Sequence, residues 1–324
     1  MTVLVTGSTG LLGNNVARIL IETGHRVRLL VRQQAEIRPL VDLDVDIVTG
    51  DIRNQVDVQQ AVDGCDWAIH AAGYVQIGWS NSNLHNEINA KGTNHVATAC
   101  RHAGVKMVHV STVDTLGIGS WDSPVDEQST FDGHILYPYV VSKLAGEEYV
   151  QNHVEKGLDA VIVNPTFMLG PWDWKPSSGR MLLRVAARPT PVAPSGGNNF
   201  CDARDVARGI LSAAERGQTG RRYILGGHNH SYFDAWKLFA KVTGGKPPRM
   251  IAGPLMQMIA GQAGDLWGYL RGKEPEVNSA STAIARLPHY FRCDRAIHEL
   301  DYQVRPLHQT VSDTWHWFVE QGYV

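Results

Sequence analysis

Apolar residues follow two rhythms along the first half of the chain. Short unbroken runs cover Val3–Thr6, Val27–Val31, Asp46–Val48, Trp67–Ala71, Met107–Ser111 and Val161–Asn164. Between them, Leu11–Thr23, Val56–Val62, Asn86–Ala103 and Tyr139–Lys156 carry helical spacing. Runs of Val, Ile and Leu without alternation suit parallel strands covered on both faces. Their alternation with helices predicts an α/β fold, a doubly wound parallel (Rossmann) sheet. The second half is less regular. Pro and Gly crowd residues 165–197, where the chain is expected to leave the sheet. A helix over Asp205–Glu215, a strand over Arg222–Leu225, a helix over Ser231–Val242 with Ser231 as N-cap, and a last helix over Pro306–Gln321 follow. The expected division is a dinucleotide-binding domain over 1–165, taking in about 198–227. Residues 166–197 and 228–324 then form mainly a smaller, interleaved C-terminal substrate-binding cap.

The longest apolar helical stretch, Ile251–Leu270, is broken by Pro254, Gly261, Gly264 and Asp265. A membrane span needs roughly 20 nearly unbroken apolar residues, so a water-exposed helix is expected and no membrane partner. The apolar start at Val3 runs straight into a glycine loop and reads as a strand, not a signal peptide. A net charge of −2 gives no basic surplus for nucleic acid, and 43% hydrophobic with 19% charged residues excludes disorder. The four cysteines are scattered and form no CxxC, which fits reduced thiols in the cytoplasm. His228 and His230 have no partner pattern for a metal.

Chemistry enters with Gly7-Ser8-Thr9-Gly10-Leu11-Leu12-Gly13, which leaves the first strand and opens the first helix. Gly7 permits the tight turn, Gly10 lets backbone approach a pyrophosphate, and Gly13 permits close packing of helix on sheet. The helix N-terminus offers free N–H groups to the anion. Thr9, Leu11 and Leu12 belong to the same cofactor-binding segment. The second strand ends in Arg32, where an acid would hold the ribose of NAD. A guanidinium there either clamps the 2′-phosphate of NADP or is a solvated surface residue. NADP is therefore expected, with NAD as the weaker alternative. Asp51 and Ile52, after the third strand, are expected to meet the adenine.

Tyr139 and Lys143 lie one turn apart on a helical face. A nearby ammonium and the nicotinamide's positive charge both stabilise phenolate, so they are expected to lower the Tyr139 pKa, and Lys143 also to hold the nicotinamide ribose. The fifth strand ends in Ser111-Thr112, where a hydroxyl can orient a substrate oxygen.

With these motifs the chain resembles an extended short-chain dehydrogenase/reductase of the NAD-dependent epimerase/dehydratase group. The resemblance also rests on His70-Ala71-Ala72-Gly73, Asn89-Ala90-Lys91-Gly92-Thr93, Asn164-Pro165, Gly170-Pro171-Trp172-Asp173, Asp202–Ala207 and the Trp317-Phe318 helix. Among such proteins it is most similar to dihydroflavonol-4-reductase-like members. The resemblance implies that Thr112, Tyr139 and Lys143 are catalytic, and that Ala71, Ala72, Gly73, Pro165 and Thr166 line the cofactor. It also leaves a homodimer through the fourth and fifth helices open.

Substrate-side candidates are Tyr74, Met168 and Trp172, with Val75, Gln76, Ile77, Trp79, Phe167 and Trp174 in the same loops. Aromatic walls suit a flat or apolar ketone; the alternative is that these rings simply pack the cap. Arg180, Arg184 and Arg188 are either a diphosphate clamp or a solvated helix face. The expected activity is reduction of a ketone, or oxidation of the matching secondary alcohol, on a small apolar substrate. A sugar-nucleotide epimerase or dehydratase with tightly held NAD is the alternative. A non-catalytic dinucleotide-binding regulator is disfavoured by the presence of both Tyr139 and Lys143.

Overall fold

Val3, Leu4 and Val5 are fully buried although they point to opposite faces, Val3 and Val5 into one core and Leu4 into the other. This is the signature of a parallel strand covered on both sides. The computed structural model describes residues 1–129 and 136–324. It runs β1 (Thr2–Thr6), α1 (Leu11–Glu22), β2 (Arg26–Val31), β3 (Asp46–Thr49), α2 (Gln55–Val62), β4 (Trp67–His70), α3 (Ser82–His85), α4 (Thr93–Ala103), β5 (Lys106–Val110), α5 (Pro138–Val154) and β6 (Ala160–Pro165). There follow β7 (Phe167–Leu169), α6 (Gly179–Ala187), β8 (Val192–Ala193), β9 (Gly197–Asp202), α7 (Ala203–Arg216), β10 (Arg222–Leu225), β11 (His228–Ser231), α8 (Tyr232–Thr243), β12 (Met250–Ile251), α9 (Pro254–Arg271), α10 (Ser279–Ile284), β13 (Pro288–His289), α11 (Asp294–Leu300) and α12 (Leu307–Glu320).

Seven strands form one parallel sheet in the order β10-β6-β5-β4-β1-β2-β3. The chain winds outward through β2 and β3, then restarts at β4 on the other side of β1. The crevice beyond the carboxyl ends of β1 and β4 is therefore the switch point where ligands bind. A third core, with Leu182, Phe200, Phe239 and Phe318, fills a smaller lobe of α6, α8, α12 and β9. Ser231 caps α8 as expected, accepting from the Asp234 amide. The helix expected over Asn86–Ala103 begins earlier, at Ser82, and passes through a π-turn over Asn86–Gly92 before α4. Such turns collect near functional sites. Among the described residues no helix is long and apolar enough to cross a membrane.

Candidate active site

At the end of β1, Gly7 adopts φ +77, and a Cβ there would lie 2.6 Å from the Ala72 amide nitrogen. The glycine loop thus presses directly on the loop after β4. The Gly10 amide donates to the Gly7 carbonyl at 3.0 Å. A Cβ on Gly13 would land on that carbonyl, well inside contact distance. Gly13 therefore lets α1 seat on its own loop, a nearer neighbour than the sheet expected from sequence. No side chain caps α1 and no acid stands in its first turn, so its amides face outward unopposed. The Ser8 hydroxyl is buried with no partner among the described residues. A Cβ on Gly10 would meet only the Gly7 carbonyl, at 3.4 Å. An uncapped helix start, a glycine at its first turn and an unpaired hydroxyl together fit a dinucleotide pyrophosphate.

Pro138 starts α5, which places Tyr139 and Lys143 one turn apart. Lys143 is buried, and its ammonium donates to the Val110 carbonyl at 2.7 Å. Burial lowers its pKa to about 8, against the opposing pull of Glu147. Thr112 follows β5 and its hydroxyl accepts from the Asp114 amide at 3.3 Å. Burial, then the Asp114 carboxylate, push the Tyr139 phenol up, while the Thr112 hydroxyl pulls it down. Among the protein's own groups this departs from the sequence expectation: the ammonium that was to share in acidifying the phenol is bonded to the Val110 carbonyl.

Several residues without an assigned role in the sequence reading hold this arrangement. Glu147, one turn beyond Lys143 on the same face, accepts from Thr115 at 2.7 Å and Asn164 at 2.9 Å, and pairs with Arg222 at 2.8 Å. Asn164 also donates to the Thr112 carbonyl at 2.9 Å. Asn89, in the π-turn, accepts from the Tyr74 amide at 2.7 Å and donates to the Tyr74 carbonyl at 2.9 Å and to Ser142 at 3.0 Å. The Tyr74 ring sits 4.7 Å from His85, and His85 lies 6.2 Å from Tyr139. Tyr137 stacks 6.1 Å from Tyr139 and donates to Asp114 at 3.2 Å, with His289 3.9 Å from the same carboxylate. The helical spacing from Lys143 pointed to Glu147; nothing local in sequence joins Asp114 to His289.

The sequence model of the NAD dependent epimerase/dehydratase family matches residues 3–226. The chain belongs to that family. Over 99% of its length it is 31% identical to a putative dihydroflavonol 4-reductase of Synechocystis, covering 95% of that protein. It is 30% identical to sterol demethylase protein B of Methylococcus capsulatus, with both chains covered in full. The crystal structure of gox2253 superposes with a TM-score of 0.87 at 32% identity, over 99% of this chain and 98% of that one. The protein is therefore an oxidoreductase-type enzyme of a nicotinamide dinucleotide-dependent family.

The family's remaining expected positions divide into two groups. Leu11, Leu12, Ala71, Ala72 and Gly73 gather at the switch point, where the Ala72 amide donates to Thr6 at 3.2 Å. Arg32 is exposed at the end of β2. Asp51 is tied to Arg53 at 2.7 Å, which holds its carboxyl below the usual range, with Arg32 adding a smaller pull. Ile52 is buried beneath Gly92, and a surface cleft of about 470 Å³ opens between Asp51, Arg53, Lys91 and His95. The other group has its side chains engaged elsewhere. Thr166, after Pro165, donates to Asn199 at 2.9 Å. Met168 is half-buried against the sheet core. Trp172, expected over the substrate, has φ +66 and turns its ring under the Arg18 guanidinium at 4.5 Å, against α1. Phe167 packs on Phe200 and Trp174 on Trp317, as core rings. Arg180 and Arg184 share the single carboxylate of Glu276 on an exposed face.

Proposed function

We propose that this protein reduces a ketone on an apolar substrate, using NADPH. A bound nicotinamide supplies the hydride. The uncapped α1 start and the Gly7–Gly13 loop are the residues that would hold its pyrophosphate, Ala71–Gly73 its backbone-facing side, and Arg32 its 2′-phosphate. Tyr139 gives a proton to the substrate oxygen and Thr112 donates a hydrogen bond to the same atom. Lys143, charged below about pH 8, holds the ribose hydroxyls. The observation that carries the reading is the convergence of Tyr139, Lys143 and Thr112 at the carboxyl end of β5, beside the glycine loop. The phenol, protonated at neutral pH even at its ordinary value and raised further by burial and Asp114, is in the form a reduction needs. The Tyr74–His85–Tyr139 row and the exposed Val75, Ile77 and Trp79 favour an apolar substrate over a charged sugar nucleotide. The name of the Methylococcus relative points to the same substrate class.

Tyr139→Phe is expected to lower turnover of a test ketone by about 10²–10⁴-fold while nucleotide binding survives. Retained turnover would remove Tyr139 from the reaction. Nicotinamide fluorescence titrations are expected to favour NADPH over NADH by about tenfold, or 1.4 kcal/mol, and Arg32→Ala should erase that preference. A preference for NADH in the unaltered protein sinks the assignment to NADPH.

A further inference from the structure

The helix α9 is built inside out for a surface helix in water. Its buried positions are Gln257, Gly261 and Gly268, and its large apolar residues face solvent. Leu255, Leu266, Trp267 and Leu270 are 64%, 62%, 54% and 71% exposed, with Met256 and Ile259 beside them. The glycines form the seam toward the segment after α9. A Cβ on Gly264 or Gly261 would strike the Val277 carbonyl or Thr282, and one on Gly268 would lie 2.6 Å from Pro275. Close packing is thus achieved by small residues, and the apolar stripe is left outside by construction. A stripe of this size on a water-exposed helix marks an interaction face.

The stripe continues toward the active-site mouth. Glu274, just past α9, accepts from the Trp79 amide at 2.7 Å, the Ser80 amide at 3.0 Å and Gln76 at 3.2 Å. Asn278 donates to the Ile77 carbonyl at 3.0 Å, and the Trp79 indole donates to Ser279 at 2.9 Å. These bonds latch α9 to the loop that begins at Tyr74 and exposes Val75, Ile77 and Trp79. The charges around the stripe are mixed, with the cations the more exposed. Arg249 precedes α9, Arg271 is its last residue and Lys273 follows it, all exposed. The nearby acids keep their charge but are turned inward or paired: Asp265, holding the Ser279 amide at 3.0 Å, and Glu274, holding the loop, are half-buried, and Glu276 is shared by Arg180 and Arg184. The Arg271 guanidinium stands 4.4 Å over the Trp267 ring, an aromatic–cation pair suited to a headgroup layer.

We propose that α9 and the 75–79 loop dock this protein on an anionic phospholipid bilayer, with α9 lying in the interface. The interrupted length that rules out crossing is no obstacle to lying flat. This goes against the sequence expectation of no membrane partner, because periodicity does not tell which side of a helix faces inward.

The test is flotation of the full chain with vesicles of phosphatidylcholine plus phosphatidylserine, and with phosphatidylcholine alone. The protein is expected to float, more strongly with the anionic vesicles and less at high salt. The combined variant Leu255→Gln/Leu266→Gln/Trp267→Gln should lose partitioning by on the order of tenfold per side chain. Arg271→Gln/Lys273→Gln should weaken the anionic preference by roughly fivefold per cation. Unchanged thermal unfolding checks that each variant is folded. Failure of the unaltered protein to float, or undiminished flotation of both variants, overturns the proposal. So does a dimer in sedimentation velocity that the apolar variant converts to monomer without any vesicle binding, since the face would then pair two copies. Flotation is read without nucleotide or ketone, so its failure leaves the reductase reading standing.

Discussion

The helices α1 and α9 start alike and end up facing opposite ways. Each begins at a glycine with no side-chain cap, and each carries further glycine within its length. In α1 the buried face holds Leu12, Val16, Ile19 and Leu20, packed between the sheet and α7, while glycine serves the loop contact. In α9 the glycines are the packed face and the leucines are outside. An amphipathic repeat therefore fixes the period of a helix, and tertiary packing decides which side is the inside. One helix spends its apolar residues on the fold; the other leaves them for a partner.

The contrast is broken most forcefully at Leu20, which is 1% exposed. Leu20→Ala removes a packed side chain from the core between α1 and the sheet and should cost about 2–5 kcal/mol. Urea unfolding with an unchanged slope checks it. A loss below about 1 kcal/mol would mean that α1 is held by its loop contacts and not by its apolar face.

The sheet half also hides polar groups, which makes its stability depend on pH. His70 and His109 stack 5.5 Å apart on adjacent strands, fully buried. Burial, then the Lys143 charge, lower His70 to about 3. The same causes, with His70 added, hold His109 well below 6.5. Neither ring nitrogen of His109 has a partner among the described residues. The folded state keeps both imidazoles neutral, while the unfolded chain binds protons below about pH 6.5. Stability is therefore present above that pH and is lost as pH falls toward the folded values. The slope is about 1.4 kcal/mol per pH unit for each imidazole, or roughly 2 kcal/mol each at pH 5. His109→Leu should remove half of this acid loss, read as a smaller drop in urea midpoint between pH 7 and pH 5. Parallel drops in the two proteins would show that His109 takes up its proton within the folded core.

Much of the sheet half was legible because its physics is local. Valine-rich runs without alternation announce buried parallel strands, and the order of glycines after β1 announces an anion site. Tyr139 and Lys143 could be paired by helical spacing alone. What was not legible depends on contacts between distant segments. The π-turn at Asn86–Gly92 leaves the apolar rhythm nearly unchanged, yet it aims Asn89 at Tyr74. The Tyr139 environment is set by Asp114, itself beside Tyr137 and His289, a grouping that no spacing rule links. Trp172 was assigned to the substrate by its neighbourhood in sequence. Its left-handed backbone and the Arg18 guanidinium turn it to α1 instead.

The smallest expected effect is the most telling one about α9. Leu266 is as apolar as Leu20 and sits in a regular helix, but it is 62% exposed. Leu266→Ala removes almost no buried contact, and alanine is the better helix former by a few tenths of a kcal/mol. The two terms nearly cancel, so the urea midpoint should move by less than about 0.5 kcal/mol in either direction. If α9 instead folded its leucines against the smaller lobe in solution, the same substitution would cost about 2 kcal/mol or more, as at Leu20. Measured in the absence of lipid, that difference separates an apolar face held ready for a partner from one that already has its partner within the chain.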